Sequence, residues 1–510
     1  LAIYESKLAD EQKKEAISHK KIAEQQQMIA DEQRRMADEQ RIFAFEQRKD
    51  ALIQRAIALK LKFEADMARD RAKKLQIEAE DLRDSALTEK ERAEKQKIRA
   101  EFSEARTDTL RKLAIAKSLA IQSIKVFQNN KKTKSLSPEQ ADLPLIMAYQ
   151  AYFFNKVYKG NPFDPDIYSA LNEVSNSTLS LKGQAYHNDA IRDLDISSGG
   201  KMFVSCSDDG SVKLFDVSKT DRPVDLKIPK RDKLIMFRTV AFAGDGKWIA
   251  SGTYDGEILM WETGSGNYNT AIKAHVSSVN KIINIPQTNK IVSIGSDGFI
   301  KAWALDNIQG GPEVIMQSSE KFIAAAIHPE KKKFAVASEK GIVRILSSEN
   351  FKLISTIISK HGKISSVCFG QNNHMIIGYS SGLIEIRQQN QVKEIFAHQS
   401  GVTDIDFDHA KNRMMSCGYD GKIKIWNYMN TDIEPAVIEG HLNWVYCLAF
   451  NHFNSSVISG SADKSILISK AEIEDLKTVI RKNISSNMSY KDWLNYVGND
   501  IEYNKKLPNE

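Results

Sequence analysis

Cysteine is scarce in this sequence, and its spacing argues against two kinds of site. The 510 residues contain four cysteines, none in CxxC spacing: Cys206, Cys368, Cys417 and Cys447. Metal centres and disulfide frameworks use cysteines in closely spaced or paired sets, so the sequence favours neither. We interpret the four thiols as small buried side chains on strands, which suits a reducing compartment such as the cytoplasm.

Long apolar runs are also missing. The longest, Leu143–Phe154, is interrupted by Gln150 and is too short to cross a bilayer, so we expect no membrane span. No basic segment followed by an apolar one opens the chain, which starts at Leu1 rather than at methionine. We expect the chain to be a fragment, or the ordered part, of a longer protein.

Neither a large excess of one charge nor a catalytic motif is present. The 72 basic and 66 acidic residues leave a net charge of +6, which gives little support for nucleic-acid binding. The sequence contains no Walker A motif, HExxH, nucleophile elbow or cluster of metal ligands. We therefore predict no catalytic residue, no metal and no cofactor, and expect any enzyme to lie upstream of Leu1.

Glycine and proline are absent from residues 1–136, which are rich in Glu, Lys, Gln, Arg and Ala. This composition is typical of long helices. Apolar residues recur there every seven positions or alternate by four and three, as in a coiled coil. The first register contains Ile22, Ile29, Met36 and Phe43, and the second contains Leu61, Ala65, Ala68, Ala72, Leu75, Ala79, Leu82 and Ala86. We predict a coiled-coil stalk over residues 1–106, with a stutter between the registers.

The alternative for this segment is a solvated single helix. Alanine at one of the two core positions buries little apolar area, whereas Glu–Lys and Glu–Arg pairs four residues apart can stabilise an isolated helix. The regularity of the heptads favours the coiled coil, and with it a homo-oligomer.

The apolar pattern and the helix-start signals in residues 107–175 predict a small α-helical adaptor. Thr107–Phe127 has an apolar helical face, and Ser137 and Pro138 open a second helix in the manner of an N-cap. A third helix begins near Pro165 and ends near Val174. The second carries an aromatic stripe that we interpret as packing surface rather than as a ligand box: Tyr149, Tyr152, Phe153 and Phe154.

The second half of the chain repeats one turn signature at intervals of 39 to 46 residues. Each full copy has a small residue, an Asp-Gly turn and a strand that ends in an aromatic side chain. The turns lie at residues 209, 255, 297, 340, 381, 420 and 463, of which those at 340 and 381 are degenerate. Asp-Gly between alternating strands predicts a tight hairpin, and this interval is the length of a four-stranded propeller blade. We predict an all-β, seven-bladed propeller over residues 176–470, in which Thr178–Leu181 completes the seventh blade.

A histidine precedes the turn in five units: His187, His275, His361, His398 and His441. With these residues the sequence resembles the WD40 repeat family. The resemblance implies a buried hydrogen-bond chain of His, Ser, Asp and Trp, which is complete in two units. These sets are His275, Ser293, Asp297 and Trp303, and His398, Ser416, Asp420 and Trp426. The blades that lack part of the set are expected to rest on packing alone.

The same residue types could be interpreted as a hydrolase triad. The set recurs in several blades, and its serine lies on a strand rather than at a strand-to-helix turn. We therefore favour a structural role.

The adaptor and the tail extend the resemblance. Together with the propeller they resemble the C-terminal part of bacterial STAND-type signalling NTPases and of caspase- or CHAT-fused WD40 proteins. The tail, residues 471–510, is expected to form short helices, and its Ser489–Tyr496 segment is similar to the ending of those proteins, with Asp492 where they have Glu.

We expect a non-catalytic scaffold or sensor that binds a protein partner on the propeller face carrying the histidine loops and hairpin turns. Aromatic residues at such a face make rigid anchors. The candidates are Tyr254, Tyr419, Asn443 and Trp444; packing of these rings on neighbouring turns is the alternative. Two other functions remain open: the regulatory half of an NTPase or protease, and a structural subunit of an assembly.

Overall fold

The computed structural model describes residues 28, 67–74, 89–133, 135–175, 184–388, 391–499 and 501–503. The chain divides into two units, residues 1–114 and 115–510. Residues 67–74 are helical, and a long helix, α1, runs over Glu89–Lys131. It continues through residues 106 and 107, where the sequence predicted a boundary between stalk and adaptor. Most of the predicted heptad positions, among them Ile22, Phe43, Leu61, Leu75 and Leu82, lie outside the described residues.

Two helices follow α1 before the propeller: α2 (Pro138–Val157) and α3 (Pro165–Ser175). The first turn of α2 has the predicted cap, because the Ser137 hydroxyl accepts a hydrogen bond from Gln140 N at 3.2 Å. The Gln140 side chain accepts one from Ser137 N at 3.0 Å, which completes a capping box. The aromatic stripe of α2 is packing surface, with Tyr149, Tyr152 and Phe154 buried.

Two short helices end the described chain: α4 (Ile473–Asn483) and α5 (Tyr490–Tyr496). They share one apolar core with α2, α3 and the last two blades. Trp493 is buried there against Phe154, with ring centroids 6.0 Å apart, and its indole N–H donates to Ile501 O at 3.0 Å. The N-terminal adaptor and the C-terminal tail are therefore parts of one helical layer.

Seven antiparallel four-stranded sheets form the propeller, which confirms the predicted architecture. Blade one contains β2 (Ile191–Ile196), β3 (Met202–Ser207), β4 (Val212–Asp216) and β5 (Lys219–Asp225). Blade two contains β6 (Phe237–Ala243), β7 (Trp248–Thr253), β8 (Glu257–Glu262) and β9 (Tyr268–Lys273). Blade three contains β10 (Val279–Ile285), β11 (Lys290–Gly295), β12 (Phe299–Ala304) and β13 (Glu313–Gln317).

The remaining blades follow the same order from the innermost strand outward. Blade four contains β14 (Phe322–Ile327), β15 (Lys333–Ser338), β16 (Ile342–Ser347) and β17 (Leu353–Ile358). Blade five contains β18 (Ile364–Phe369), β19 (Met375–Tyr379), β20 (Leu383–Gln388) and β21 (Gln391–Phe396). Blade six contains β22 (Val402–Asp408), β23 (Arg413–Gly418), β24 (Ile423–Asn427) and β25 (Ala436–Ile438). Blade seven contains β26 (Val445–Asn451), β27 (Ser456–Ser461), β28 (Ser465–Lys470) and the early strand β1 (Gln184–Ala185).

An early strand closes the ring, as the sequence predicted. Gln184 and Ala185 pair antiparallel with Ile466 and Ser465 of β28, so the first described strand completes the last blade. The predicted range for this strand, Thr178–Leu181, lies outside the described residues. The early strand gives blade seven its outermost strand and joins the two ends of the propeller. Radial repetition of such blades leaves only short, protected sheet edges.

Every innermost strand contains a β-bulge at its second residue, where the pairing register with the next strand shifts. A bulge redirects a side chain out of the regular ladder. The seven bulged residues stand at the end of the central channel next to the histidine loops, and we call them the mouth ring. They are Arg192, Arg238, Asn280, Ile323, Ser365, Thr403 and Tyr446.

Candidate interaction face

Two blades contain the complete hydrogen-bond chain with nearly equal dimensions. In blade three, His275 Nδ1 lies 2.8 Å from Asp297, and its Nε2 lies 2.8 Å from Ser293 Oγ. Trp303 Nε1 donates to the same hydroxyl at 2.9 Å. The corresponding distances among His398, Asp420, Ser416 and Trp426 in blade six are all 2.9 Å.

The donors and acceptors fit a neutral imidazole. Burial lowers the pKa of His275, although the Asp297 carboxylate acts in the opposite direction. Burial alone would raise the pKa of Asp297, but the interaction with His275 outweighs it and the net shift is downward. Nδ1–H then donates to the aspartate, the serine hydroxyl donates to Nε2, and the indole donates to the hydroxyl. Asp297 also accepts from Val276 N at 3.0 Å, so the chain fixes the histidine loop to the hairpin turn.

Blades one and seven keep most of this chain without its tryptophan. His187 Nε2 lies 2.8 Å from Ser205 Oγ, and His187 Nδ1 lies 3.1 Å from Asp209. In blade seven, His441 makes the same contacts with Ser459 and Asp463, at 2.8 and 3.1 Å. The expectation that these two blades rest on packing alone is wrong, because the His–Ser–Asp contacts do not depend on the indole. Phe215 and Ser469 occupy the place of the tryptophan in the two blades.

Blade two has no histidine, and its polar groups find other partners. The buried Trp261 donates from Nε1 to Lys227 O at 2.8 Å, and Ser251 donates to Thr239 O at 2.8 Å. The indole thereby holds the first residue of the loop between blades one and two.

Blade five replaces the chain by a different polar cluster. Ser359 corresponds to the residue before the histidine, because its N–H donates to Gly341 O at 2.8 Å as Ala274 N donates to Gly256 O at 2.9 Å. The Tyr379 hydroxyl bonds to Ser359 and donates to the buried Glu385 at 2.9 Å. The prediction of packing alone is therefore wrong here as well.

His361, which the sequence assigned to blade five, lies outside this buried position. Its Nε2 is 2.8 Å from the half-exposed Glu394 and 3.6 Å from Glu385. The loops of blades five and six are equally long, residues 359–363 and 397–401, but His398 is the second residue of its loop whereas His361 is the third.

The predicted anchor residues fall into two groups. Tyr419 and Trp444 are 41% and 50% exposed, and their ring centroids are 5.2 Å apart in an edge-to-face arrangement. Asn443 supports the second of them, because its Oδ1 accepts a hydrogen bond from Trp444 N at 2.8 Å. Tyr254 belongs to blade two and is only partly exposed, with its hydroxyl accepting from Arg238 at 2.9 Å.

The sequence analysis missed three further residues of the face: Tyr446, Leu442 and Arg192. Tyr446 lies 6.1 Å from Tyr419 and 6.3 Å from Trp444 between ring centroids, and Leu442 beside them is 70% exposed. The guanidinium of Arg192 lies 4.3 Å from the Tyr446 ring and is paired with Asp208. Tyr446 and Arg192 belong to the mouth ring, whose members recur at the repeat interval and could have been found from it.

Four segments of the chain match the family described as WD domain, G-beta repeat: residues 177–216, 235–262, 389–427 and 434–468. The chain carries WD40 repeats. The human protein "Pre-mRNA-processing factor 17" is 24% identical over 275 residues, which are 50% of this chain and 45% of that protein. "p21-activated protein kinase-interacting protein 1-like" of Danio rerio is 26% identical over 254 residues, 49% of this chain and 66% of that protein.

A third similar protein is human "Apoptotic protease-activating factor 1". It is 22% identical over 295 residues, which are 57% of this chain and 23% of that protein. The chain spans less than half the length of the pre-mRNA-processing factor and about a quarter of the protease-activating factor.

Several charged residues lie on the innermost strands of blades one, three and six, among them Asp193, Asp195, Lys281, Asp404 and Asp406. Lys281 Nζ lies 2.8 and 3.0 Å from the two Asp193 oxygens. Burial raises the pKa of Asp404 to about 6, although Lys281 acts in the opposite direction. The carboxylates join blades, since Asp404 accepts from Ser366 Oγ of blade five at 3.0 Å and from Leu448 N of blade seven at 3.1 Å.

Neither a metal centre nor a membrane span was found in the part of the chain that the structure describes. No group of three or more His, Cys, Asp or Glu residues among those residues could hold a metal ion. None of the described helices combines the length and apolarity that crossing a bilayer requires.

Proposed function

We propose that this chain is a non-catalytic protein-interaction scaffold and that its partner binds the face formed by the histidine loops and hairpin turns. The observation that carries the proposal is the exposed cluster of Tyr419, Trp444 and Leu442 in blades six and seven. Exposed, contiguous apolar side chains on an otherwise polar face are typical of protein interaction sites.

The geometry of the cluster favours binding over packing alone. Tyr419 and Trp444 touch each other and Tyr446, so their rings are held in place before a partner arrives and little side-chain entropy is lost on binding. Large aromatic side chains of this kind commonly supply most of the energy of an interface. About half of the Trp444 surface is still available to a partner.

Substitution of the two rings tests this proposal. Trp444→Ala and Tyr419→Ala, made in the whole chain, are expected to weaken capture of the native partner by at least roughly tenfold, as expected for hot-spot residues. Phe396→Ala is the matched control, because Phe396 is an exposed aromatic residue on the outer strand of blade five. Capture is measured by quantitative mass spectrometry after circular dichroism has established equal folding. Unchanged capture by both face variants would place recognition elsewhere, either on the outer blade edges or on the helical layer.

We further propose that the N-terminal segment forms a coiled coil through which the chain assembles into a homo-oligomer. The support is the heptad pattern that begins at Ile22. A bacterial source and a signalling role belong to the same proposal and rest on the resemblance to STAND-type proteins.

The cytoplasm is the proposed compartment. All four cysteines are free and buried. Burial raises the pKa of each thiol well above its usual value, so none is activated for disulfide exchange. Thiols of this kind are compatible with a reducing environment.

A second candidate function is the regulatory half of a larger STAND-type NTPase or caspase-like protease. The observation that favours it is the similarity to a protein named as a protease-activating factor, of which the match covers 23%. An antibody against the propeller tests this candidate. If this candidate function is correct, the antibody should detect a native polypeptide far heavier than 57.4 kDa. Detection of a native polypeptide with the mass of this chain would exclude this candidate function.

A further inference from the structure

One loop of the interaction face differs from the others in length and charge. It connects blades one and two over residues 227–236 and replaces the short histidine loop. Its base is fixed at both ends: Lys227 O accepts the Trp261 indole N–H at 2.8 Å, and Ile235 is buried. Apolar Leu226 is buried just before it. Because the apolar residues hold the base, the residues between them project into solvent.

The projecting residues are mostly basic. Lys227, Lys230, Arg231 and Lys233 are all exposed, and Asp232 is the single acidic residue among them. Arg231 pairs with Glu257 of blade two. Within the described part of the chain, no carboxylate lies within ion-pair distance of Lys227, Lys230 or Lys233. Among the described residues, the three lysines of the loop therefore have no acidic partner.

Two exposed apolar residues follow the lysines directly. Leu234 is 70% exposed and Met236 is 43% exposed, beside the buried Ile235. Together with the lysines they form what we call the basic-apolar loop. A basic segment with apolar side chains next to it is complementary to a segment that carries acidic residues next to an apolar one.

The loop is continuous with the aromatic cluster across the face. Met236 O accepts a hydrogen bond from Tyr254 N at 3.0 Å, and Arg238 donates to the Tyr254 hydroxyl. In the neighbouring blade one, Arg192 stacks on Tyr446 of blade seven at 4.3 Å, next to Trp444. A partner seated on the aromatic cluster therefore has a path along the mouth ring to the loop.

We propose that the basic-apolar loop binds an acidic, apolar-containing segment of the protein partner. This inference rests on the proposed function and specifies the chemistry of the segment. Glutamate and aspartate side chains pair with Lys230 and Lys233, and a leucine or phenylalanine of the partner covers Leu234 and Met236.

The distribution of charge favours an acidic protein segment over RNA. A nucleic-acid footprint is a basic stripe that follows several phosphates. Here three lysines lie within seven residues of a single loop, and the neighbouring turns expose Asp189 and Asp255. Leu234 and Met236 also offer no aromatic ring on which a base could stack.

Fluorescence anisotropy with the whole chain tests the proposal with defined probes. The probes are a twelve-residue peptide that has five glutamates followed by two leucines, the same peptide with lysines in place of the glutamates, and a ten-nucleotide uridine RNA. The charge-reversal variant is Lys230→Glu with Lys233→Glu. Its matched control is Lys360→Glu with Lys363→Glu, two exposed lysines in the corresponding loop of blades four and five.

The acidic peptide is expected to bind, and the Lys230/Lys233 variant to lose at least tenfold in affinity while the Lys360/Lys363 variant loses less than twofold. Leu234→Ser is expected to lose severalfold. No binding of the acidic peptide, equal losses in both reversal variants, or lysine-dependent binding of the RNA alone would each overturn the inference. Capture of the native partner separates the two proposals: loss with Trp444→Ala but not with the Lys230/Lys233 variant removes this inference and leaves the proposed function.

Discussion

At the residue scale, the repeated histidine links each loop of the face to a hairpin turn. The imidazole of His398 lies between an acid and a hydroxyl that are 22 and 18 residues further along the chain. Each partner is buried or half-buried, so removal of one leaves the others without a hydrogen bond in a poorly hydrated place. The same contacts in four blades explain how loops of different sequence keep one backbone position.

Asp420→Ala is expected to lower the free energy of unfolding by about 1–3 kcal/mol, because it leaves the His398 Nδ1–H and the Gln399 N–H without an acceptor. Ser381→Ala is the control, since Ser381 occupies an exposed turn in blade five, which lacks the chain. Urea unfolding followed by tryptophan fluorescence gives both values. Similar losses for the two variants would contradict the role assigned to the chain.

Asp404 should make stability depend on pH in the direction opposite to that of most carboxylates. Its pKa is raised from 3.8 to about 6 in the folded protein, so folding favours its protonated form. Its stabilising contribution is present below about pH 4 and is lost as the pH rises through about 6. Because only one proton is involved, the free energy of unfolding cannot fall by more than about 1.4 kcal/mol per pH unit.

Comparison with Asp404→Asn isolates this contribution, because asparagine does not titrate. The stability of wild type minus that of the variant is expected to fall between pH 4.5 and pH 7, measured by urea unfolding at each pH. A difference that stays constant over this range, or that grows with pH, would show that the folded protein does not raise the pKa of Asp404.

At the scale of secondary-structure elements, the adaptor helix α2 and the tail are joined by one carboxylate. Asp142 Oδ2 accepts four hydrogen bonds, from the N–H and the hydroxyl of both Ser485 and Ser486, at 2.7 to 3.0 Å. Burial alone would raise the pKa of Asp142, but the hydrogen bonds from the two serines outweigh the effect of burial. The net shift of this pKa is therefore downward. A second link joins α3 to the propeller, where the Tyr168 hydroxyl donates to Lys470 O at 2.7 Å.

Asp142→Ala is expected to loosen the tail, because four donors lose their acceptor at once. Hydrogen exchange of amides in residues 473–497 should become roughly 5- to 100-fold faster, which corresponds to a loss of about 1–3 kcal/mol. Glu139→Ala on the same helix is the control, as Glu139 is exposed. Equal exchange in the two variants would mean that the apolar contacts of α4 and α5 alone hold the tail.

At the scale of the whole molecule, the open question is assembly. The proposed coiled coil predicts that the complete chain is oligomeric and that Leu75→Asp or Leu82→Asp shifts it towards monomer, because a charge at a core position must be desolvated. Sedimentation at tens of micromolar gives the mass. Lys73→Asp, at a position outside the predicted core, should leave the mass unchanged. A monomeric wild-type chain would exclude the coiled coil in favour of the solvated single helix.

Much of the propeller could be predicted because its signals are local. Asp-Gly turns select tight hairpins, and the spacing from His to Ser to Asp is nearly constant, so a complete set can be recognised in one blade at a time. The prediction was too strict at blades one and seven, where it treated the tryptophan as necessary. It also assigned His361 by residue type, although His361 is the third residue of its loop and the histidines of the complete sets are the second.

The sequence by itself determined the repeat, the hairpins, the cap of α2 and the buried aromatic stripe, because each depends on residues close together in the chain. Only the tertiary structure decided which distant residues meet. The mouth ring takes one side chain from each of seven blades, and Asp142 meets Ser485 across 343 residues. The repeat interval indicates which residues of the mouth ring are equivalent, but only ring closure and burial bring these groups together. The continuity from Trp444 to the basic-apolar loop is therefore visible only in the folded molecule.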